Sequence, residues 1–210
     1  MNTSSSTGGL STVQNWKNRL PKDASIISVM IGMALLFELL GWIFVGQSFI
    51  FNYQRLLIMI LQMAIIGIIA VGVTQIIIMA GIDLSSGSVL AFTGIVAASL
   101  AQTSDYARAV YPALTDMPLF VPIMAGILMG LVMGSINGGL IAYSGIPPFI
   151  ATLGMLVAAR GLARWYTSGS QVSFFIDDYA ILGSGVMPVV IFLSVAIIFH
   201  LLLRYTRYGR

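Results

Sequence analysis

The 210 residues are 58% hydrophobic and only 8% charged, with a mean hydropathy of +0.97 and a net charge of +3. A soluble domain carries about 25% charged residues, so a chain this apolar lacks the polar surface to live in water and reads as a membrane protein. The absence of cysteine excludes disulfides, thiolate nucleophiles and Cys-ligated metals, the single histidine excludes a His-rich metal site, and the ten basic residues mostly flank apolar runs instead of forming a nucleic-acid surface.

In chain order, residues 1–25 form a polar tail rich in Ser, Thr, Gly and Asn, expected on the cytoplasmic side. The apolar run 26–45 is longer than the roughly 7–15 residues of a signal-peptide core and no A-x-A site follows it, so it reads as an uncleaved first span. Further runs occupy 56–80, 87–101, 119–143, 149–166 and 187–203. A span needs about 20 apolar residues, so the third and fifth are short and are expected to be tilted, broken or re-entrant, with protein around them. The expected fold class is all-α: a polytopic transmembrane helical bundle of about six spans, with 26–210 as one membrane domain.

The charges predict both chain ends inside. Lys17, Arg19 and Lys22 precede the first run, and Arg204, Arg207 and Arg210 follow the sixth. The predicted outer loops hold Asp105, Arg108, Asp116, Asp177 and Asp178, with no basic excess. Arg55 is a mild exception. Trp42, Tyr53, Trp165, Tyr166, Tyr205 and Tyr208 gather near span ends, where amphipathic rings suit the headgroup layer.

The most distinctive segment is 81–88, GIDLSSGS, between the second and third runs. Asp83, Ser85 and Ser88 are helix-capping types, and Gly81 and Gly87 permit close backbone approach. The segment reads either as a capped turn or as a broken-helix element lining a solute path. Gly126, Gly130, Gly134 and Gly138 recur every four residues on one face of the fourth run, a spacing that lets helices pack closely. Asn137 beside this stripe is interhelical glue or pathway lining. Pro147 and Pro148 end the fourth span and open the fifth, since proline fits only the first turn of a helix.

Ionisable residues inside spans are functional candidates by default. Glu38 lies well inside the first run and Arg160 inside the fifth, with Arg164 able to snorkel outward. Gln62, Thr74 and Gln75 in the second run must face protein or water. His200 lies near the inner end of the sixth run as a packed or interfacial residue. No H-E-x-x-H, G-x-S-x-G or P-loop pattern occurs, so catalysis by this chain alone is not expected.

The chain resembles the ribose/galactose/xylose-type permeases of bacterial ABC sugar importers. The resemblance rests on an ordered set of blocks: 81–88 (GIDLSSGS) with Val89-Leu90-Ala91, Ser135-Ile136-Asn137-Gly138 with Leu140-Ile141-Ala142-Tyr143, 146–154 (IPPFIATLG), Ala159-Arg160-Gly161-Leu162-Ala163, and Thr206-Arg207-Tyr208-Gly209-Arg210. The stretch 98–118 also looks like the corresponding loop of galactose/methylgalactoside permeases. The resemblance implies a multi-pass protein of the bacterial inner membrane that is no enzyme itself. It implies a second permease copy, a cytoplasmic tandem-domain ATPase that holds the ATP and magnesium, and a periplasmic sugar-binding protein. This chain is expected to carry no cofactor and no metal. Pentose, hexose and cyclitol importers share these features, so the expected cargo is a class: a monosaccharide or similar polyol.

The polar groups expected along the pathway are Gln75, Asp83, Ser85, Ser88, Asn137 and Thr152, with Arg160 as a structural clamp. Family members continue past the T-R-Y-G-R block into a cytoplasmic loop that meets the ATPase. A chain ending at Arg210 is therefore expected to be a truncated product, a fragment or a partial chain, unable by itself to couple ATP hydrolysis to transport. The competing classes are an ion-coupled secondary transporter or facilitator, for which only Glu38 and Asp83 offer carboxylates, and a membrane fragment that assembles without transporting.

Overall fold

The computed structural model describes residues 22–209. Residues 1–21, with Lys17 and Arg19, and the terminal Arg210 lie outside the described residues. The regular elements among them are helices: α1 (Lys22–Phe44), α2 (Tyr53–Ile78), α3 (Ser86–Leu100), α4 (Phe120–Ala142), α5 (Pro148–Tyr166), the short α6 (Asp177–Leu182) and α7 (Met187–Tyr205). Single 3₁₀ turns occupy Pro112–Leu114 and Arg207–Gly209. The six long helices fall on the six apolar runs. α1 begins at Lys22, inside the stretch read as a tail.

The prolines explain several starts. Pro122, Pro148 and Pro188 each sit in the first turn of α4, α5 and α7, where a missing N–H breaks no helical bond. Four helices are long and apolar enough to cross a bilayer: Ala24–Phe44, Tyr53–Ile78, Phe120–Ala142 and Met187–Tyr205. The 15 residues of α3 reach only about 22 Å, against the roughly 30 Å of a hydrocarbon core. α5 has the length, but Arg160 and Arg164 lower its apolarity.

The chain divides into two compact units, 1–59 and 60–210. In the first, the α1–α2 turn folds back on Glu38. Its carboxylate accepts from Ser48 Oγ at 2.6 Å, Ile50 N at 2.7 Å, Phe49 N at 2.8 Å and Trp42 Nε1 at 3.0 Å. Phe49 stacks on Phe37 with ring centroids 5.7 Å apart, and the Arg55 guanidinium covers the Phe49 ring at 5.0 Å. Glu38 is thus a clasp for the turn.

In the second unit, the short α3 is held between α4 and α5. Phe92 and Val96 of α3 pack with Met133 of α4 and with Met155, Ala159 and Ala163 of α5. An added Cβ at Gly126 would stand 3.2 Å from Ala97 Cβ, and one at Gly130 would stand 3.9 Å from the Thr93 methyl. Those pairings, with Asn137 on Ser85, advance on α4 as they retreat on α3, so the two helices run antiparallel. Pairings of Ser88 with Arg160 and Ser99 with Tyr166 advance together, so α3 and α5 run parallel. α2 and α7 are also parallel: the Phe192 ring lies over Gly67, and Gln75 shares a cleft with His200, eight residues further along each helix. Within this unit α3 and α5 thus share one direction, opposite to α4.

Candidate functional site

The site is built where α2 stops. α2 ends in a pair of tight bonds, Gly81 N to Ile76 O and Ala80 N to Ile77 O, both 2.9 Å. This closure needs a left-handed residue, and Ala80 supplies it with φ of 56°. The chain then runs irregularly to Ser86. Irregular backbone at membrane depth is tolerated only where protein satisfies its polar groups.

Thr152 of α5 does much of that work. It is 3% exposed, and its hydroxyl accepts from Leu84 N at 3.3 Å. Its own proton has Pro148 O at 2.8 Å and Ile82 O at 3.2 Å within reach. Asp83 Oδ1 accepts from both Ser85 N at 2.7 Å and Ser85 Oγ at 2.6 Å. The Ser85 carbonyl in turn receives Ser88 N and Val89 N, which starts α3. Ser85 itself makes no side-chain cap, because its hydroxyl is spent on Asp83. Asp83 orders the start of the helix from two residues upstream.

Two further helices reach the same segment. Asn137 Nδ2 of α4 donates to Ser85 Oγ at 3.0 Å, and Arg160 Nε of α5 donates to Ser88 Oγ at 3.2 Å. Ser85 and Ser88 are 1% and 4% exposed. The structure therefore brings Asp83, Ser85, Ser88, Asn137, Thr152 and Arg160 into one network. Gln75 is set apart, in a cleft against α7.

Asp83 lines an apolar-walled cleft of about 350 Å³ between α2 and α3, with Ser86 and Thr93 as its other polar residues. Both Asp83 bonds fall on Oδ1, so Oδ2 has no hydrogen-bond partner among the described residues. A carboxylate on such a wall accepts hydrogen bonds from hydroxyl donors. Asn137 Oδ1 is buried without a partner. Of the glycine stripe, Gly126 and Gly130 face α3, while Gly134 and Gly138 meet nothing within 4 Å.

At the other end of α3 is an ordered cap that sequence reasoning missed. Gln102 is fully buried; it donates to Ser173 O at 3.0 Å and accepts from Val110 N at 2.8 Å. An isolated bridge joins Gln102 and Phe175, and Tyr106 stacks on Phe174 at 4.7 Å. Ser99 Oγ and Tyr166 OH lie 2.8 Å apart, and Tyr111 packs edge-on against Tyr166. Burial raises the Tyr179 hydroxyl above its ordinary pKa. A lone Gln after a span carries no periodic signal. Among the described residues no group of His, Asp or Glu gathers to hold a metal ion.

Residues 55–210 match the family described as "Branched-chain amino acid transport system / permease component". Among curated proteins, a galactose/methyl galactoside import permease of Escherichia coli (strain K12) is 33% identical over 121 residues, 56% of this chain and 36% of that protein. A ribose import permease of Haemophilus influenzae is 34% identical over 139 residues, 64% of this chain and 39% of that protein. A galactofuranose transporter permease of Escherichia coli is 32% identical over 149 residues, 69% of this chain and 40% of that protein. The matched stretch thus spans about two fifths or less of these relatives. No solved structure matches. The match covers both the broken α2–α3 junction and the helices that hold it, and the chain belongs to the family of branched-chain amino acid transport system permease components.

Proposed function

We propose that this chain is permease material of a bacterial ATP-binding cassette importer and that it helps form the inner-membrane path for a monosaccharide or similar polyol. The observation that carries the reading is the Asp83 network, because the same segment holds the blocks shared with sugar permeases. Those relatives are named for galactose, ribose and galactofuranose import. Asp83 offers an acceptor to hydroxyls, Ser85 and Asn137 hold it in place, and Thr152 with Arg160 locks the junction to α5. Arg204 in the last turn of α7 and Arg207 just after it support a cytoplasmic end for that helix by the positive-inside bias, and with six alternating spans a cytoplasmic N-terminus as well.

In this reading a cytoplasmic tandem-domain ATPase supplies ATP and magnesium, and a periplasmic binding protein delivers the sugar. A second permease copy packs nearby, and the open Gly134 and Gly138 suit a close helix. Ion coupling through Glu38 is disfavoured because its carboxylate is already occupied by four donors.

The test is recovery of the tagged chain from native membranes in mild detergent, with partners identified by mass spectrometry. Capture of a tandem-domain ATPase and a second permease copy supports the reading. Reproducible recovery of the folded chain alone withdraws the ATP-driven mechanism.

A further inference from the structure

Arg160 spends only part of its guanidinium on the Asp83 network. Its Nε donates to the buried Ser88 hydroxyl at 3.2 Å. No described atom accepts from either of its terminal nitrogens, and no described carboxylate pairs with it or with Arg164 one turn later. Both arginines are exposed. An arginine inside a span ordinarily stretches its head to the nearer interface. Arg160 does not. From Ser88 to Ser99 α3 rises about 16 Å, while from Arg160 to Tyr166, their partners, α5 rises about 9 Å. Helical side chains lean toward the helix start, and the Ser88 bond holds Arg160 in that direction, away from the nearer end of α5 at Tyr166.

The rest of the helix limits what covers this charge. At 3.6 residues per turn Leu153, Val157, Arg160 and Arg164 fall within about 60° of one another. They form one exposed flank of α5, beside the stripe of Met155, Ala159 and Ala163 that packs on α3. Lipid accepts no N–H donor and holds no anchored cation cheaply. A packed protein surface would have to bring counter-charges for two arginines one turn apart, whose like charges repel. Water satisfies every free donor and screens the pair.

We infer that this flank of α5 borders a water-filled path at membrane depth, and that Arg160 makes the path electropositive, favouring neutral and anionic solutes with oxygen acceptors over cations. Arg160 Nε fastens the helix to α3, and its terminal nitrogens face the path. The inference does not depend on a sugar being the cargo.

The chain has no cysteine, so single introduced thiols report without background. Val157→Cys on the arginine flank and Leu162→Cys on the opposite flank, both at exposed positions, are made in the full chain in membrane vesicles opened to both sides. Each is reacted with an anionic methanethiosulfonate, the sulfonatoethyl form, and a cationic one, the trimethylammonioethyl form. Such reagents need a thiolate, which forms in water and not in lipid, so Val157→Cys is expected to react with the anionic reagent at least about tenfold faster than Leu162→Cys, although Leu162 lies nearer the helix end. Val157 is three residues from Arg160 and so its neighbour on the helix surface. Adding Arg160→Gln, which keeps a donor for Ser88 but removes the charge, is expected to lower the anionic-to-cationic rate ratio at Val157→Cys severalfold, and Arg160→Lys to retain it. Equal or slower reaction at position 157 than at 162 overturns the water-filled path. A ratio indifferent to Arg160→Gln overturns the part given to Arg160. If Val157→Cys does not accumulate in membranes, Leu153→Cys on the same flank replaces it, and equal or slower reaction there overturns the path in the same way.

Discussion

The amide nitrogen of Asn137 donates to the hydroxyl of Ser85 across 52 residues of sequence, at 3.0 Å, and that hydroxyl in turn donates a hydrogen bond to Asp83 Oδ1. One serine thus ties α4 to the carboxylate that starts α3. The removal of Ser85 and the removal of Asn137 should differ in cost.

Ser85→Ala leaves the Asn137 amide without its acceptor and takes from Asp83 Oδ1 one of its two donors, the backbone N–H at position 85 remaining, and is expected to destabilise by about 1–3 kcal/mol. Asn137→Leu removes a single interhelical bond, worth about 0.6 kcal/mol on average in membrane bundles, together with the unpaired Oδ1. The midpoint of thermal unfolding in detergent is expected to fall clearly for Ser85→Ala and little for Asn137→Leu. Equal losses would mean that the Asn137 bond, not the serine relay, holds the junction.

Ala80 closes α2 in a left-handed conformation that a Cβ disfavours by roughly 1–2 kcal/mol. Ala80→Gly is expected to raise the same unfolding midpoint by relieving it, and Ala80→Val to lower it. A fall with glycine would show that the alanine methyl packs usefully.

Under the proposed importer function, Asp83→Ala is expected to reduce sugar uptake more than it reduces the amount of chain in the membrane. Uptake assays paired with membrane immunoblots read both. Equal loss of the two would confine Asp83 to ordering the start of α3.

Glu38→Ala leaves Phe49 N and Ile50 N without their acceptor. Hydrogen exchange at those two amides is expected to speed up, with Glu38→Gln intermediate because an amide oxygen still accepts. Unchanged exchange would remove the clasp role.

Gly126→Val is expected to cost about 1–3 kcal/mol by forcing α4 off Ala97, whereas Gly134→Val should leave the stability of this chain unchanged. Thermal unfolding distinguishes the two positions. A comparable loss at Gly134 would reveal a neighbour for that face.

Much of this was legible in the chain itself. Long apolar runs without charge become helices because the bilayer accepts only backbones that satisfy themselves, and the prolines at 122, 148 and 188 mark helix starts by lacking an N–H. The GIDLSSGS segment announced a junction through its capping residues. What composition did not reveal was which polar groups meet. Gln75 and Asp83 looked alike as buried polar candidates, yet α2 turns one toward α7 and presents the other, beyond its end, to α3. Glu38 read as a functional candidate and its carboxylate holds a turn, because three of its four donors lie 10–12 residues further on in a loop whose fold-back no periodicity encodes. Gln102 gave no signal, since its partners come from segments 8 and 71 residues away. Sequence alone determined the solvent, the helices and the break; tertiary structure decided the partners, because hydrogen bonds between distant segments depend on helix direction and register, which only packing sets.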